Sequence, residues 1–197
     1  MAPFGSLGRK LSRLIGRTDD RDVRSRRMVA VIECLLNQNA RDAGAAVFPA
    51  MNGAVIDLCR QHDIGLLQMP CPEIACLGLA RERQPGQSLR EALDTEAGRA
   101  CCARLAGEVV DRLQAYMRAG YQVVAALGGN QGSPGCAVHC GREGVLETSG
   151  IFMRELAAEL ARRQIALPLM AIRDSEPALL DQDVQALRKL ITVQPPR

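Results

Sequence analysis

Short apolar runs alternate with longer amphipathic segments along this chain. Runs with the length of buried strands cover residues 28–33, 64–69, 121–127 and 165–172. Apolar residues at helical spacing predict helices over about 49–62, 88–119, 149–163 and 176–190. Ser88 and Glu91 form a capping-box sequence, and Gly120 provides a stop. This β-α-β-α-β-α-β-α order predicts a single-domain α/β fold of the Rossmann-like kind, with a parallel sheet and helices on both faces.

Three cysteines follow the first three predicted strands. Cys34 comes directly after the first strand, Cys71 lies between two prolines after the second, and Cys136 ends the Gly-rich segment G-G-N-Q-G-S-P-G-C after the third. Right-handed crossovers place the carboxyl ends of parallel strands on one edge, where open α/β sheets bind ligands. We therefore expect the three thiols to meet in the loops there. Any one of them alone is better explained as a small buried apolar residue.

Charge separates an N-terminal arm from the body of the chain. Residues 1–27 carry eight basic and three acidic groups, whereas the whole chain has a net charge of only +3. We predict that 1–27 is a peripheral, disordered extension and that 28–197 is the α/β domain. A basic arm also suits anionic partners, but the chain has no Trp, two Tyr and three Phe, which argues against binding of single-stranded nucleic acid.

The eight cysteines bear on compartment and chemistry. The chain shows neither the pattern of a signal peptide nor an apolar stretch long enough to span a membrane, so a reducing cytoplasm is expected. Clustered cysteines there more often bind metal or catalyse reactions than form disulfides. Structural zinc uses four protein ligands, whereas a 4Fe-4S cluster on three cysteines leaves one iron open to act as a Lewis acid.

The residues around the three thiols are more specific than their spacing. The segments E-C-L-L-N-Q-N-A-R, P-C-P-E-x-x-x-L-G-x-x-R and G-S-P-G-C together resemble the thiouracil desulfidase (TudS-like) family over roughly residues 29–140. The resemblance implies a compact α/β fold with a 4Fe-4S cluster on Cys34, Cys71 and Cys136, whose fourth iron takes sulfur from a thiocarbonyl nucleobase. It also implies catalytic roles for Glu73 and Ser133.

The chain departs from the family pattern near the expected substrate position. Asn37, Ala40 and Asp42 replace a Gly, a second Cys and a Tyr of the family's C-L-x-G-x-x-C-R-Y segment, and Gly135 stands where a second Ser is usual. Desulfidase chemistry on a small thiocarbonyl compound is therefore the prediction, and thiouracil is its model substrate. The natural substrate and the oligomeric state stay open.

Each candidate catalytic group also has a structural explanation. Glu73 is placed to pass protons or activate water, but it could equally cap a loop or pair with Arg81 or Arg83. The hydroxyl of Ser133 could simply bond the backbone of its turn. Arg41 and Arg81 could offset the thiolate charge or form ordinary surface pairs.

Two amide-rich loops lie at the same predicted edge. Carboxamides suit a heterocycle carrying N–H and C=O groups, although they also form turns. The five residues are Asn37, Gln38, Asn39, Asn130 and Gln131.

The other cysteines and His139 receive weaker assignments. Cys59 and Cys101 fall on apolar helical stripes and are expected in the core. Cys76 and Cys140 are candidate spare ligands or sulfur relays, Cys102 has no assigned role, and His139 is near enough to Cys136 in sequence to lie beside a cluster.

Two other functions fit the same residues. A sulfur-transfer enzyme would use the same cluster to donate sulfur to an acceptor. A non-catalytic metal or iron–sulfur sensor would bind a partner through the basic arm.

Overall fold

Four parallel strands form the central sheet. The computed structural model describes residues 22–142 and 144–193, so most of the predicted N-terminal arm lies outside the described residues. The strands are β1 (Arg27–Ile32), β2 (Gly65–Met69), β3 (Gln122–Gly128) and β6 (Leu169–Ala171), in the spatial order β2-β1-β3-β6. Every neighbouring pair is parallel, with Ile32 opposite Met69 and Ala126 opposite Leu169. The predicted α/β class with a parallel sheet is confirmed.

Helices connect and flank the strands, and a small hairpin follows β3. The helices are α1 (Glu33–Leu36), α2 (Gly53–Gln61), α3 (Pro72–Leu77), α4 (Leu89–Leu93), α5 (Glu96–Arg118), α6 (Ile151–Arg162) and α7 (Pro177–Val193). A 3-10 turn covers Gln38–Ala40, and the hairpin pairs β4 (Cys140–Gly141) with β5 (Gly144–Val145). Helix α2 packs against α7, and α5 packs against α6.

The core lies around β1 and β3, the two middle strands. Residues 29–32 and 124–127 are completely buried, as expected for parallel strands covered on both faces. The chain moves from β1 to β2 on one side, and β3 then pairs with β1 on the other side. The carboxyl ends of β1 and β3 therefore flank the point where the strand order reverses, which is the usual ligand position in such sheets.

The structure corrects three sequence predictions about the elements around the site. Cys34 lies inside the short helix α1, not in a loop. The segment 70–87, in which no helix was predicted, contains α3, because Pro72 occupies its first turn, where a missing N–H costs nothing. The predicted helix 88–119 is two helices, since Thr95 caps α5 after a break that follows the Ser88 capping box.

The last predicted strand is shorter than expected. Only Leu169–Ala171 pair with β3, although the apolar run covers 165–172. Pro168 has no N–H to donate, and its carbonyl accepts a hydrogen bond from Ala126 N at 2.9 Å. Strand β6 therefore begins after the proline. Its carboxyl end leads directly into Arg173 and Asp174.

No helix within the described residues combines the length and the apolar character needed to cross a membrane.

Candidate functional site

The three strand-end thiols lie on one cavity. Cys34, Cys71 and Cys136 line a space of about 510 Å³, together with Glu73 and Ser133. All three cysteines are free and buried. The volume falls within the range of small-molecule sites. The structure thus places the three predicted ligands and the two predicted catalytic residues at the carboxyl edge of the sheet, around one space.

Cys34 and Cys136 form a closely coupled thiol pair. A hydrogen bond from Cys136 lowers the pKa of Cys34, and the nearby Arg41 guanidinium acts in the same direction. The same hydrogen bond, together with burial, raises the pKa of Cys136 well above its ordinary range. Arg41 Nη2 is 3.9 Å from Cys34 Sγ. Cys34 is therefore the more acidic thiol of the pair.

Cys71 is held at the start of α3, where it is the N-terminal capping residue. Its backbone N–H donates to Glu33 Oε2 at 2.9 Å, which ties the end of β2 to the residue before Cys34. Burial raises the pKa of the Cys71 thiol to about 11. Glu33 was not singled out in the sequence, because an acidic residue at a strand end has no pattern that separates it from a surface residue.

A tight turn holds Cys136 beside Ser133. The Ser133 hydroxyl accepts a hydrogen bond from Cys136 N at 3.1 Å, and its Oγ lies 3.0 Å from Cys136 Sγ. Gly129 N donates to the Cys136 carbonyl at 2.8 Å. A Cβ on Gly129 would lie 2.7 Å from Cys136 Sγ, so the sulfur occupies space that only glycine leaves. Ser133 therefore bonds the backbone of its turn and also contacts the Cys136 thiol, and its catalytic role stays a prediction.

The segments carrying Cys71 and Cys136 pack directly on each other. A Cβ on Gly135 would lie 2.5 Å from Cγ of Pro72, closer than carbon atoms approach without displacement. This contact explains why the chain has glycine where the desulfidase pattern usually has serine. It also fixes two of the three thiol-bearing loops against each other.

Glu73 lines the cavity and is also ion-paired. Arg81 Nε donates to Glu73 Oε2 at 2.9 Å, and Arg81 Nη2 donates to the Ala40 carbonyl at 2.7 Å. Both side chains are buried. Arg81 has the left-handed φ of 51°, which is uncommon for a residue with a Cβ and is found where the surroundings fix it. The predicted pairing of Glu73 with Arg81 is therefore confirmed, and its catalytic role stays a prediction.

Asp174 is the polar centre that the sequence analysis missed. Its side chain is completely buried and pairs with Arg41 at 2.5 Å. Asn130 Nδ2 donates to Asp174 Oδ1 at 2.7 Å. Asp174 follows β6 as each of the three thiols follows its own strand, and this was the available signal.

The amide side chains near the cavity are engaged within the protein. Gln38 Nε2 donates to the Cys34 carbonyl at 2.8 Å, and its Oε1 accepts from Val47 N at 3.0 Å. Asn130 Oδ1 accepts from Ser175 N at 3.0 Å. Asn37 caps the 3-10 turn. These contacts favour the turn-forming interpretation of the two amide loops.

The other cysteines lie outside the cavity. Cys59 is buried in the core as predicted, but Cys101 forms a disulfide with Cys76, so neither Cys76 nor Cys101 has its predicted role. Cys102 takes the core position instead. The prediction for α5 followed steps of four residues, and each such step drifts about 40° around a 3.6-residue helix.

Cys140 and His139, which were also predicted near the cluster, make their contacts outside the cavity. The sulfur of the exposed Cys140 lies 3.8 Å from the Leu169 carbonyl. His139 Nδ1 lies 2.9 Å from Thr148 Oγ1. Neither residue lines the thiol cavity.

The thiols are not grouped as ligands of one ion. Within residues 22–142 and 144–193, no three His, Cys, Asp or Glu side chains are arranged to hold a single metal ion. In a 4Fe-4S cluster each cysteine binds a different iron, so its ligands line a space and do not converge on a point. Three buried thiols line one cavity here, and the neighbouring sulfurs of Cys34 and Cys136 would have to separate to bind two different irons.

Comparison with known proteins does not supply an activity. No family model matches the chain, and no solved structure matches it. The chain is 26% identical over 169 residues to the uncharacterized protein MJ0003 of Methanocaldococcus jannaschii, which covers 86% of this chain and 99% of that protein. The likeness extends over nearly the whole relative. Because that protein is uncharacterized, the chemistry has to be inferred from the site.

Proposed function

We propose that this protein is an iron–sulfur-dependent desulfidase that removes sulfur from a small thiocarbonyl compound of the thiouracil type. The observation that carries the proposal is the meeting of Cys34, Cys71 and Cys136 on one cavity at the reversal of strand order. The resemblance of the surrounding segments to the TudS-like family motivates the same assignment.

The donor set fits a 4Fe-4S cluster held by three residues. Cys34, Cys71 and Cys136 would be its ligands, and no other cysteine is among the described residues that line the cavity. When bound, such a cluster supplies one iron without a protein ligand, which acts as a Lewis acid toward the substrate sulfur. The reducing cytoplasm is part of the proposal, because the three thiols have to stay reduced to bind iron.

The charged side chains around the cavity suit this chemistry. Arg41 places a positive charge beside Cys34 and thereby favours its thiolate form. Arg81 orients the Glu73 carboxylate, which lines the same cavity. An oriented carboxylate can accept a proton from a water molecule that attacks the thiocarbonyl carbon. Both arginines have carboxylate partners, so the cavity favours an uncharged substrate over an anion.

Part of the remaining wall of the cavity is apolar. Ile32, Ala40, Val47 and Leu89 line it on the side of the β1 and α4 segments. Such a wall binds the face of a flat ring and excludes bulk water, which strengthens the electrostatic contacts inside. Ser133 is the hydroxyl nearest to the Cys136 sulfur and can donate to the departing sulfide or to the ring.

Sulfide release is the direct test of the proposal. The protein is reconstituted with iron and sulfide without oxygen, freed of excess sulfide, and incubated with 2-thiouracil and 4-thiouracil. We expect sulfide and the corresponding oxo compound in equal amounts over many turnovers, and none from Cys136→Ala. Cys59→Ala, which removes a buried thiol outside the cavity, is the control and should retain activity. A fully loaded protein that releases no sulfide from any thiocarbonyl compound would refute the proposal.

A further inference from the structure

One buried carboxylate connects the two loops that carry the coupled thiols. Asp174 follows β6, and its side chain has no solvent exposure. A carboxylate offers about four acceptor positions, and four side chains occupy them here. The donors are Gln38, Arg41, Asn52 and Asn130.

The four donors are divided evenly between the two oxygens. Oδ1 accepts from Arg41 at 2.5 Å and from Asn130 at 2.7 Å. Oδ2 accepts from Asn52 at 3.3 Å and from Gln38 at 3.4 Å. The shorter pair therefore links the loop after β1 to the loop after β3. A substitution at Asp174 would act on both loops together.

Each of the short contacts leads to a thiol. Arg41 donates through the same Nη2 atom toward Cys34 Sγ, at 3.9 Å, and Gln38 bonds the Cys34 carbonyl. Asn130 begins the turn in which Ser133 N donates to the Asn130 carbonyl at 3.0 Å. Ser133 in turn contacts Cys136 Sγ. Asp174 is thus two contacts from Cys34 and three from Cys136.

We infer that Asp174 is a positioning residue, which holds Arg41 and the Asn130 turn so that the sulfurs of Cys34 and Cys136 stay beside each other at the cavity. It touches neither sulfur itself. The role bears on catalysis through the proposed function, on which it rests. The pairing of the two thiols can nevertheless be measured in protein that contains no iron.

Disulfide trapping in the iron-free protein measures that pairing. Diamide removes two electrons and two protons from a thiol pair, so an Sγ–Sγ bond forms and the N=N bond of the reagent is reduced to a hydrazine. Mass spectrometry of peptides then identifies which cysteines are joined. In the wild type we expect a Cys34–Cys136 bond to form faster than either bond to Cys71, because Cys34 and Cys136 each have the other as the largest influence on their pKa, whereas for Cys71 that influence is burial.

Asp174→Asn should slow this bond on the order of tenfold, since small displacements of reacting groups have large kinetic effects. The matched control is Asp183→Asn. Asp183 is also a buried acid, and it pairs with Arg173, the residue before Asp174, but neither of them lines the cavity. All rates are compared at the same interval below each variant's melting temperature. Asp183→Asn should then match the wild type.

If Asp174 has only a structural role, both Asp174→Asn and Asp183→Asn should form the Cys34–Cys136 disulfide as fast as the wild type does. That result would overturn the inference. If Asp174→Asn does not fold, Arg41→Lys tests the same connection. Lysine keeps the charge but lacks the fork that reaches both Asp174 and Cys34, so slow trapping is expected there too. Unchanged trapping in Arg41→Lys would count against the inference.

A second measurement separates this inference from the proposed function. In reconstituted protein, Asp174→Asn should lose iron to a chelator faster than Asp183→Asn does. If the wild type binds no iron, the proposed function fails, while the trapping rates still decide the role of Asp174. If the wild type binds iron and releases sulfide but trapping is unaffected by Asp174→Asn, only the inference fails.

Discussion

Replacing Gly135 with alanine would push the Cys136 turn against the segment that carries Cys71. The new Cβ would lie 2.5 Å from Pro72 Cγ and 3.4 Å from Leu93 Cδ1. The proline ring begins α3 and cannot rotate away, so the two segments have to separate. Overpacking of this kind costs about 1–3 kcal/mol. The loss of chain freedom in the unfolded state returns about 0.4–1 kcal/mol.

Gly132→Ala is the matched control, because it lies in the same turn and its Cβ would meet nothing within 4 Å. The unfolded-state gain is the same for both variants and cancels in their difference. We therefore expect Gly135→Ala to unfold about 2 kcal/mol more easily than Gly132→Ala. Urea unfolding followed by circular dichroism measures this difference. Equal stability of the two variants would refute the packing of Pro72 on Gly135.

A double variant shows whether Pro72 causes the cost. In Pro72→Ala the ring atom nearest to Gly135 is absent, so adding Gly135→Ala should cost less than it does alone. A coupling free energy on the order of 1 kcal/mol is expected for residues in contact. Additive effects of the two substitutions would mean that another neighbour receives the clash.

Two further predictions follow from the site and from the buried thiols. Glu73→Gln should lower the rate of sulfide release by about 10²–10⁴ without lowering bound iron, with the exposed Glu82→Gln as control; full activity in Glu73→Gln would remove its catalytic role. Burial raises the pKa of Cys59 to about 11 and that of Cys102 to about 12, from an ordinary value near 9. The folded state keeps these protons to a higher pH than the unfolded state does. The contribution of these thiols to the free energy of unfolding is therefore complete below about pH 9, and above it falls by up to about 1.4 kcal/mol per pH unit for each thiol. Urea unfolding from pH 8 to 11 should show the decline, and an unchanged slope in Cys59→Ala would contradict it.

The sequence predicted the sheet and the meeting of the thiols because both depend on periodic features. Completely buried strands such as 29–32 and 124–127 appear as uninterrupted apolar runs. In a parallel sheet the carboxyl ends of the strands lie at one edge, and this does not depend on the conformation of the loops. Cys34, Cys71 and Cys136 could therefore be placed together before any loop was known.

Local interruptions and single polar contacts were beyond the sequence pattern. Pro72 was interpreted as a break in regular structure, although proline is equally suited to the first turn of a helix. The role of Asp174 depends on four donors from distant parts of the chain, and no spacing rule encodes that. The pairing of Cys76 with Cys101 depends on which side of α5 faces α3. An error of one residue in the predicted phase of α5 put Cys101 on the core-facing side, so the pairing could not be predicted.

The central claim is that three thiols hold a 4Fe-4S cluster, and a count of iron and sulfide tests it most directly. The protein is reconstituted without oxygen, and iron, acid-labile sulfide and the absorption spectrum are measured per chain. The account predicts about four of each in the wild type and in Cys59→Ala, and a large loss in Cys136→Ala. Zinc in place of iron, or no metal in carefully anaerobic protein, would contradict the account and leave the Cys34, Cys71 and Cys136 cavity without its proposed chemistry.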